Sequence, residues 1–153
     1  MKILFICTHN RCRSILSEAI TNQLTDENVL AKSAGSQPVG EVHPLSLKYL
    51  QQTGFNTDGL FSKSWHELET FAPDVVITVC DSAANESCPV WFGNAIKLHW
   101  GLEDPSKIAD SKTAEQAFLE TIKLISTRAK YINQIAELPK EQWQQAFKNL
   151  GAK

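Results

Sequence analysis

The chain has 153 residues, of which 42% are hydrophobic and 21% are charged, and its net charge is −2 at neutral pH. This composition is typical of one globular domain with a sizeable core, and the small net charge argues against a nucleic-acid or membrane-surface partner. No apolar stretch is long enough to span a bilayer, and residues 1–6 are too short for a signal peptide. We therefore expect a cytoplasmic protein whose four cysteines are reactive or structural thiols rather than permanent disulfides.

Hydrophobic periodicity predicts strands that alternate with helices along the chain. The predicted strands are Lys2–Ile6, Asn28–Ser33, Asp74–Val79 and Ala95–His99. Four helices are predicted. The first is N-capped by Ser14 and ends near Leu24, and the second is Pro44–Gln52, with Gly54 as its stop. The third is a short helix at Trp65–Thr70, and the fourth is Thr113–Glu137, which ends before Pro139. This alternation predicts an α/β fold, a single domain with a four-stranded parallel sheet, helices on both faces and ligands at the carboxyl edge. We place the domain at residues 1–138, followed by a polar helix or frayed tail at residues 139–153.

The first strand runs directly into a short loop, which leads into the first helix. A loop in this place forms a socket for a tetrahedral oxyanion, because its backbone N–H groups and the helix N-terminus favour negative charge. Arg13 adds a planar fork for two oxyanion oxygens, and the positive surroundings predict a Cys7 thiolate with a pKa of roughly 4–7. The alternative is a buried strand-end cysteine beside a chance arginine. The predicted oxyanion-binding residues after Cys7 are Thr8, His9, Asn10, Arg11, Cys12, Arg13 and Ser14.

A second feature follows the strand Asp74–Val79, where Cys80 emerges at the same predicted sheet edge as Cys7. Cys88 comes after a small, polar segment without strand periodicity, and a segment of this composition can rearrange at low cost. A single strand-end cysteine is usually a small buried hydrophobe. Two cysteines around such a segment, near an anion socket with its own thiolate, favour a redox role instead.

A third feature is the run His99-Trp100-Gly101-Leu102-Glu103-Asp104-Pro105 after the last predicted strand. A carboxylate at this edge can protonate the leaving oxygen when the thiolate attacks, so we predict Asp104 as the general acid. An Asp-Pro pair is also a common start of a turn, and this interpretation stays open. Glu103 and Asp81 are the rival carboxylates.

The motifs resemble the low-molecular-weight tyrosine phosphatase family, through Cys7-x5-Arg13-Ser14 at the start of the chain and the late Asp104-Pro105. The segment Cys80 to Cys88-Pro89 and the run Ile96-Lys97-Leu98-His99-Trp100-Gly101 resemble one branch of it, the arsenate reductases of this phosphatase-like fold. The resemblance covers Met1 to about Ala136. It implies the phosphatase-like fold and an enzyme that reduces arsenate to arsenite.

Carried over by position, the resemblance implies that Cys7 is the nucleophile, Arg13 the oxyanion clamp and Asp104 the acid. Cys80 and Cys88 become a redox relay, in which a Cys7–Cys80 disulfide forms first and a Cys80–Cys88 disulfide follows. The implied partners are arsenate and a reductant, either thioredoxin or a glutaredoxin/glutathione couple, and both reductants remain open. We expect a monomer with no cofactor.

The resemblance also assigns the other loop residues. Asn10 and Ser14 would shape the loop, and the Ser14 hydroxyl can hydrogen-bond the nucleophilic thiolate. Cys12 is interpreted as structural, or as an off-pathway disulfide partner of the nucleophile. His9 and Arg11 are bulkier than the small residues often found in this loop, and their roles stay open.

Some members of the family hold a potassium ion beside this loop. Asn10, Glu18 and Ser33 match three of its ligand positions, whereas Ser64 stands where an acidic ligand is found. We therefore predict no metal and keep Asn10, Glu18 and Ser33 only as a potassium candidate.

Two other functions compete with arsenate reduction. A phosphatase would hydrolyse phosphotyrosine with the same loop and acid, but family phosphatases carry tyrosines after the Asp-Pro pair, where Ser106-Lys107 follow here. A four-cysteine zinc module is the non-enzymatic alternative, and the Cys80-x7-Cys88 spacing is too wide for a zinc knuckle. The isolated histidines His43, His66 and His99 are predicted to be structural or solvent-exposed.

Overall fold

In the computed structural model, which describes residues 1–80 and 92–151, four parallel strands form one sheet. They are β1 (Lys2–Ile6), β2 (Leu30–Ala34), β3 (Val75–Thr78) and β4 (Ile96–His99), in the spatial order β2-β1-β3-β4. The chain leaves β1 toward β2 on one side and later returns to β3 on the other. The carboxyl end of β1 is therefore the switch point of the sheet, where open α/β folds bind their ligands.

Helices and short 3₁₀ turns connect and cover the strands. The described helices are α1 (Arg13–Leu24), α2 (Pro44–Gln52), α3 (Ser111–Glu137) and α4 (Trp143–Gly151), and the 3₁₀ turns are Trp65–Leu68, Pro105–Lys107 and Lys140–Gln142. Ile3 to Ile6 of β1 are at most 1% exposed, although their side chains alternate between the two faces of the sheet. Both faces at β1 are therefore covered, as the sequence predicted for an α/β domain with a four-stranded parallel sheet.

The register of the central strands decides where the site forms. Ile6 of β1 pairs with Thr78 of β3, so the two strands end at the same level. Beyond them, the N–H of Val79 donates to the carbonyl of Ile6 (2.9 Å). Cys7 and Cys80 therefore leave the sheet at the same edge, as the strand assignments predicted.

The start of α1 corrects the sequence analysis. The helix begins at Arg13, and Cys12 occupies the N-cap position without a side-chain cap hydrogen bond. Ser14, predicted as the N-cap, is fully buried inside the first turn, and its hydroxyl accepts a hydrogen bond from the Asn10 amide (2.8 Å). The serine was a plausible cap by type, but the preceding loop holds it in the interior instead.

Other predicted boundaries shift by a few residues. The second strand begins at Leu30 rather than Asn28, and the predicted helix at Trp65 is a single 3₁₀ turn. The long helix begins at Ser111, because the Asp110 carboxylate caps it by accepting a hydrogen bond from Thr113 N–H (2.9 Å). Gly54 follows α2 at a φ of 90°, as expected of a glycine helix stop.

The C-terminal segment forms a helix, one of the two alternatives expected from the sequence, but this helix is amphipathic rather than polar. Trp143, Phe147 and Leu150 of α4 are buried, and the Phe147 ring lies 6.2 Å from that of Trp100. Spacing of four and three places these residues on one face, which the polar residues between them obscure in the sequence. The division of the chain at residue 138 stays a prediction.

None of the helices in the described ranges combines the length and the apolar composition that crossing a bilayer requires.

Candidate active site

The loop between β1 and α1 is held from outside through its carbonyl groups. The carbonyls of Thr8, His9 and Arg11 accept hydrogen bonds from the backbone N–H groups of Gln37 (2.9 Å), Val39 (3.2 Å) and His43 (2.9 Å), respectively. Within the described residues, the backbone N–H groups at positions 9–12 donate to no protein acceptor. The loop therefore keeps a set of backbone donors available for an oxyanion, as the socket hypothesis requires.

Asn10 joins the loop to its surroundings. It is fully buried with a φ of 48°, a left-handed conformation in which asparagine is enriched. Its amide donates to the hydroxyls of Ser14 (2.8 Å) and Ser33 (3.0 Å), and its amide oxygen accepts from Lys63 N–H (2.9 Å). Three hydrogen bonds thus hold Asn10 in the curved conformation that the loop needs.

The thiols of Cys7 and Cys80 meet at the base of this loop. Both are nearly inaccessible, with 4% and 3% exposure, and they lie within hydrogen-bonding reach of each other. The N–H of Thr8 also donates to the Cys80 sulfur (3.4 Å). The sheet register thus places a second thiol beside the predicted nucleophile.

The protonation state of Cys7 differs from the sequence prediction. The hydrogen bond with Cys80 and burial raise the pKa of Cys7 above its ordinary value of 9.0, and they outweigh the lowering effect of Arg13. The prediction of a Cys7 thiolate rested on the positive charge around the loop. In the structure, the buried neighbouring thiol instead stabilises the protonated form of Cys7. The surroundings of Cys7 in the ligand-free protein therefore favour its protonated form.

Arg13 and Asp104 lie next to each other on the lining of the cavity. The Arg13 guanidinium lies 3.5 Å from the Asp104 carboxylate and donates to the Leu102 carbonyl (3.0 Å). The buried Nε of Arg13 has no hydrogen-bond partner among the described residues, so one donor of the predicted clamp is unsatisfied. Both side chains remain about 15% exposed and can reach a ligand in the cavity.

The structure separates Asp104 from its rival Glu103. Asp104 lines the cavity, and one of its oxygens accepts hydrogen bonds from the N–H (3.0 Å) and the hydroxyl (2.6 Å) of Ser106. Glu103 is exposed and does not line this cavity. Asp81, the other rival, lies outside the described residues, as does Cys88.

The cavity itself is small and polar. Its volume is about 130 Å³, and the lining residues are Cys7, His9, Arg11, Cys12, Arg13, Asp104, Ser106 and Lys107. Three of these side chains are lysine or arginine and only one is a carboxylate, which favours an anionic ligand. Among the lining residues that the structure describes, no phenylalanine, tyrosine or tryptophan offers a surface for an aromatic ring.

The other predicted loop residues differ in their exposure. Cys12 is buried, and burial raises its pKa to about 12. His9 is exposed and Arg11 is partly exposed, and both line the cavity. The isolated histidines each make a hydrogen bond, His43 with Leu45 N–H, His66 with the Trp65 indole and His99 with the Thr78 hydroxyl.

The residues of the potassium candidate do not fit a metal ion. Glu18 already faces the ammonium group of Lys63 at 3.4 Å and accepts a hydrogen bond from the Ser33 hydroxyl (2.7 Å). The Ser33 and Asn10 oxygens both accept hydrogen bonds from protein donors. Within the described ranges, no three His, Cys, Asp or Glu side chains converge into a metal-binding group, which also leaves the zinc alternative without a ligand set there.

Lys63 contacts the predicted site but was not among the residues predicted from the sequence. It is only 5% exposed, and its backbone and side chain both contact residues of the predicted site. The sequence carries no spacing signal for this contact, because Lys63 is 45 positions from Glu18. Only the unusual burial of a lysine identifies it.

Comparisons with known sequences match this chain to a phosphatase family and to arsenate reductases. A model of the family described as low molecular weight phosphotyrosine protein phosphatase matches residues 2–144. Arsenate reductase 1 of Staphylococcus epidermidis is 35% identical over 104 residues, which cover 68% of this chain and 77% of that protein. The arsenate reductase of Bacillus subtilis is 27% identical over 121 residues, covering 79% of this chain and 86% of that protein.

Solved structures of arsenate reductases and of a phosphatase are also similar to this chain. A thioredoxin-dependent arsenate reductase of Corynebacterium glutamicum is 31% identical with a TM-score of 0.67, over 89% of this chain and 61% of that chain. A low molecular weight protein tyrosine phosphatase of T. tengcongensis, at 23% identity and a TM-score of 0.69, shares the fold. Since the family model spans nearly the whole chain, this protein belongs to the low molecular weight phosphotyrosine protein phosphatase family, as the resemblance of its motifs predicted.

Proposed function

We propose that this protein reduces arsenate to arsenite through Cys7, Cys80 and Cys88. The observation that carries the proposal is that Cys7, which lines an anion-favouring cavity, has the Cys80 thiol within hydrogen-bonding reach. Hydrolysis of a phosphate ester needs the first thiol alone, whereas a two-electron reduction needs a second one. The arsenate reductases among the relatives support this choice.

In the first step, the Cys7 sulfur attacks arsenic(V) in monohydrogen arsenate, and a sulfur–arsenic bond forms as an arsenic–oxygen bond breaks. The oxygen leaves as water, which carries the proton of the Cys7 thiol and the proton of the arsenate. Arg13 and the backbone N–H groups of the loop hold the remaining oxygens. Asp104, on the same cavity, passes the proton to the leaving oxygen.

In the second step, the Cys80 sulfur attacks the sulfur of Cys7. A Cys7–Cys80 disulfide forms, and the electron pair of the sulfur–arsenic bond moves to arsenic, which leaves as arsenite and takes up protons. The two sulfurs are oxidised by two electrons in total while arsenic(V) becomes arsenic(III). Cys88 then attacks Cys80, which releases Cys7 as a thiolate and leaves a Cys80–Cys88 disulfide for an external dithiol to reduce.

The lining of the cavity supports a small inorganic oxyanion over a phosphotyrosine. Ser106 and Lys107 line the wall after Asp104, where a phosphatase would place a ring-stacking tyrosine. Lys107 instead adds positive charge toward the oxyanion.

The test is arsenite production by the purified protein with two reducing systems supplied in turn, thioredoxin with its reductase and glutathione with glutaredoxin. We expect multiple turnovers with thioredoxin, the partner of the Corynebacterium glutamicum relative. Turnover with glutaredoxin only would keep the reductase but replace the proposed reductant. Hydrolysis of an aryl phosphate without arsenite production in either system would contradict the proposal.

The Cys88→Ser variant tests the relay itself. It should release at most one arsenite per molecule and accumulate a Cys7–Cys80 disulfide, which mass spectrometry of a proteolytic digest identifies. Cys12→Ser is the matched control, because Cys12 lines the same cavity but has no part in the relay. Undiminished multiple turnover in Cys88→Ser would exclude Cys88 as the third thiol.

A further inference from the structure

Lys63 is a charged side chain buried beside the loop, and arsenate reduction by the three cysteines makes no use of it. Its Nζ lies 3.4 Å from Oε1 of Glu18, donates to the Phe61 carbonyl (3.1 Å) and lies 4.5 Å from the centre of the Phe61 ring. The side chains of Lys63 and Glu18 are only 5% and 13% exposed. Buried lysines are rare and are retained where a counter-charge holds them.

A short chain of hydrogen bonds connects the Lys63–Glu18 pair to the loop. The Glu18 oxygen that faces Lys63 also accepts from the Ser33 hydroxyl (2.7 Å), and Ser33 accepts from the Asn10 amide (3.0 Å). The backbone N–H of Lys63 completes this set of hydrogen bonds by donating to the Asn10 amide oxygen (2.9 Å). The ammonium charge of Lys63, held against the Glu18 carboxylate, therefore helps to orient Asn10, the side chain at the left-handed turn of the loop.

We propose that the Lys63 ammonium group is a built-in cation, which holds Glu18, Ser33 and Asn10 in position so that the loop needs no bound monovalent cation. Lys63 is then a positioning residue, and the protein is independent of potassium because it carries the charge covalently. This inference does not depend on the reaction that the loop performs.

A neutral residue at position 63 makes the inference testable. Lys63→Met keeps most of the side-chain length but leaves the Glu18 carboxylate without its counter-charge. Glu18 also lines an open pocket of about 260 Å³, with Asn22 and Asp58 on its walls, so a cation from solution can reach it. The variant should therefore acquire a dependence on potassium that the wild-type protein lacks.

The first measurement is thermal unfolding in potassium chloride and in N-methylglucamine chloride at equal ionic strength. For the wild-type protein and the exposed-lysine control Lys123→Met, we expect the same Tm in both salts. For Lys63→Met, we expect a Tm lower by roughly 4–8 °C in N-methylglucamine, with at least half of the loss recovered in potassium. Lys63→Arg, which keeps a cation, should need no potassium.

The second measurement is phosphate binding, which reports on the loop without any turnover. In Lys63→Met, the phosphate Kd should rise about tenfold in N-methylglucamine and recover in potassium, because a misplaced loop binds the anion poorly. The double variant Lys63→Met with Glu18→Gln should lose the potassium response, since no buried carboxylate remains to be neutralised.

Three results would overturn the inference: a wild-type Tm or phosphate affinity that rises in potassium, a Lys63→Met protein that responds equally to both salts, or a potassium response that survives Glu18→Gln. If Lys63→Met does not fold, the wild-type comparison and the stability of Lys63→Arg in N-methylglucamine decide the matter. None of these arms uses arsenate, so their failure is distinct from that of the proposed reductase.

Discussion

At the scale of single residues, the Cys7 thiol experiences two opposing influences. Arg13 favours its ionised form, whereas the hydrogen bond with Cys80 and burial favour the protonated form and prevail. This balance favours the protonated thiol and couples Cys7 to Cys80, the neighbour that the proposed second step requires. An oxyanion that enters the cavity would accept the proton as the sulfur attacks.

Replacing Cys80 should therefore activate Cys7 toward simple alkylation. In Cys80→Ala the pKa of Cys7 should fall, and the rate of iodoacetamide modification of Cys7 at neutral pH should rise about 3–4-fold for each pKa unit, because the larger thiolate fraction is partly offset by lower nucleophilicity. Mass spectrometry after digestion locates the adduct. Cys12→Ala is the control, because Cys12 is not among the groups that shift the pKa of Cys7. An unchanged or slower rate in Cys80→Ala would refute this account of the Cys7 environment.

The two adjacent carboxylates give a second prediction at this scale. Asp104→Asn should slow formation of the first covalent adduct by ~10²–10⁴-fold while phosphate binding changes little, because the amide keeps the shape and loses the proton. Rapid-quench measurement of the first turnover tests this. The exposed neighbour variant Glu103→Gln should behave as wild type, and the reverse pattern would move the acid role to Glu103.

At the scale of elements, the end of β2 and the loop fit together without room for a side chain. A Cβ at Gly35 would lie 2.4 Å from the Thr8 carbonyl oxygen and 2.6 Å from that of Cys7. Gly35 also exchanges hydrogen bonds with the backbone next to it, donating to Lys63 and accepting from Trp65 (both 3.0 Å). Because Gly35 has no side chain, the backbone at the end of β2 can pack directly against the backbone of the loop.

Gly35→Ala should push the loop backbone away and weaken phosphate binding and turnover by ~10–10²-fold. The measurements are calorimetric phosphate binding and steady-state rates. Ser36→Ala is the matched control at the next position, since its hydroxyl has no hydrogen-bond partner in the described part of the chain. Equal behaviour of the two alanine variants would show that the loop tolerates the displacement.

At the scale of the whole molecule, the buried thiols link stability to pH. The folded protein raises the pKa of Cys12 from 9.0 to about 12 and that of Cys7 as well, so the unfolded chain releases these protons first. The stabilisation is complete below pH 9.0 and declines as the pH rises from there toward the folded values. Each thiol contributes a slope of up to about 1.4 kcal/mol per pH unit in this window.

Cys12→Ala removes one of these protons. Between about pH 8 and pH 10.5, the free energy of unfolding of the wild-type protein should fall by roughly 2 kcal/mol more than that of Cys12→Ala. Urea titrations at the two pH values measure the difference. Parallel pH dependences would mean that burial does not hold the Cys12 proton in the folded state.

Local patterns in the sequence predicted the fold class and most of the residues that line the cavity. The β-branched run before Cys80 and the apolar run before Cys7 predicted strands that end at one sheet edge, and the register of Ile6 with Thr78 agrees. Loop composition pointed to an anion socket because strand, loop and helix start are contiguous in the chain. Such features rest on neighbouring residues, so they can be predicted without the fold.

Only the tertiary structure decided the properties that depend on distant partners. Cys80, which follows β3, raises the pKa of Cys7, Asp104 rather than Glu103 lines the cavity, and the Lys63 charge lies against Glu18. The apolar face of α4 is recognisable as such only once Phe147 packs on Trp100. A pKa, an ion pair and a packed face each depend on which remote groups share a buried volume, and that is set by the three-dimensional packing of the chain.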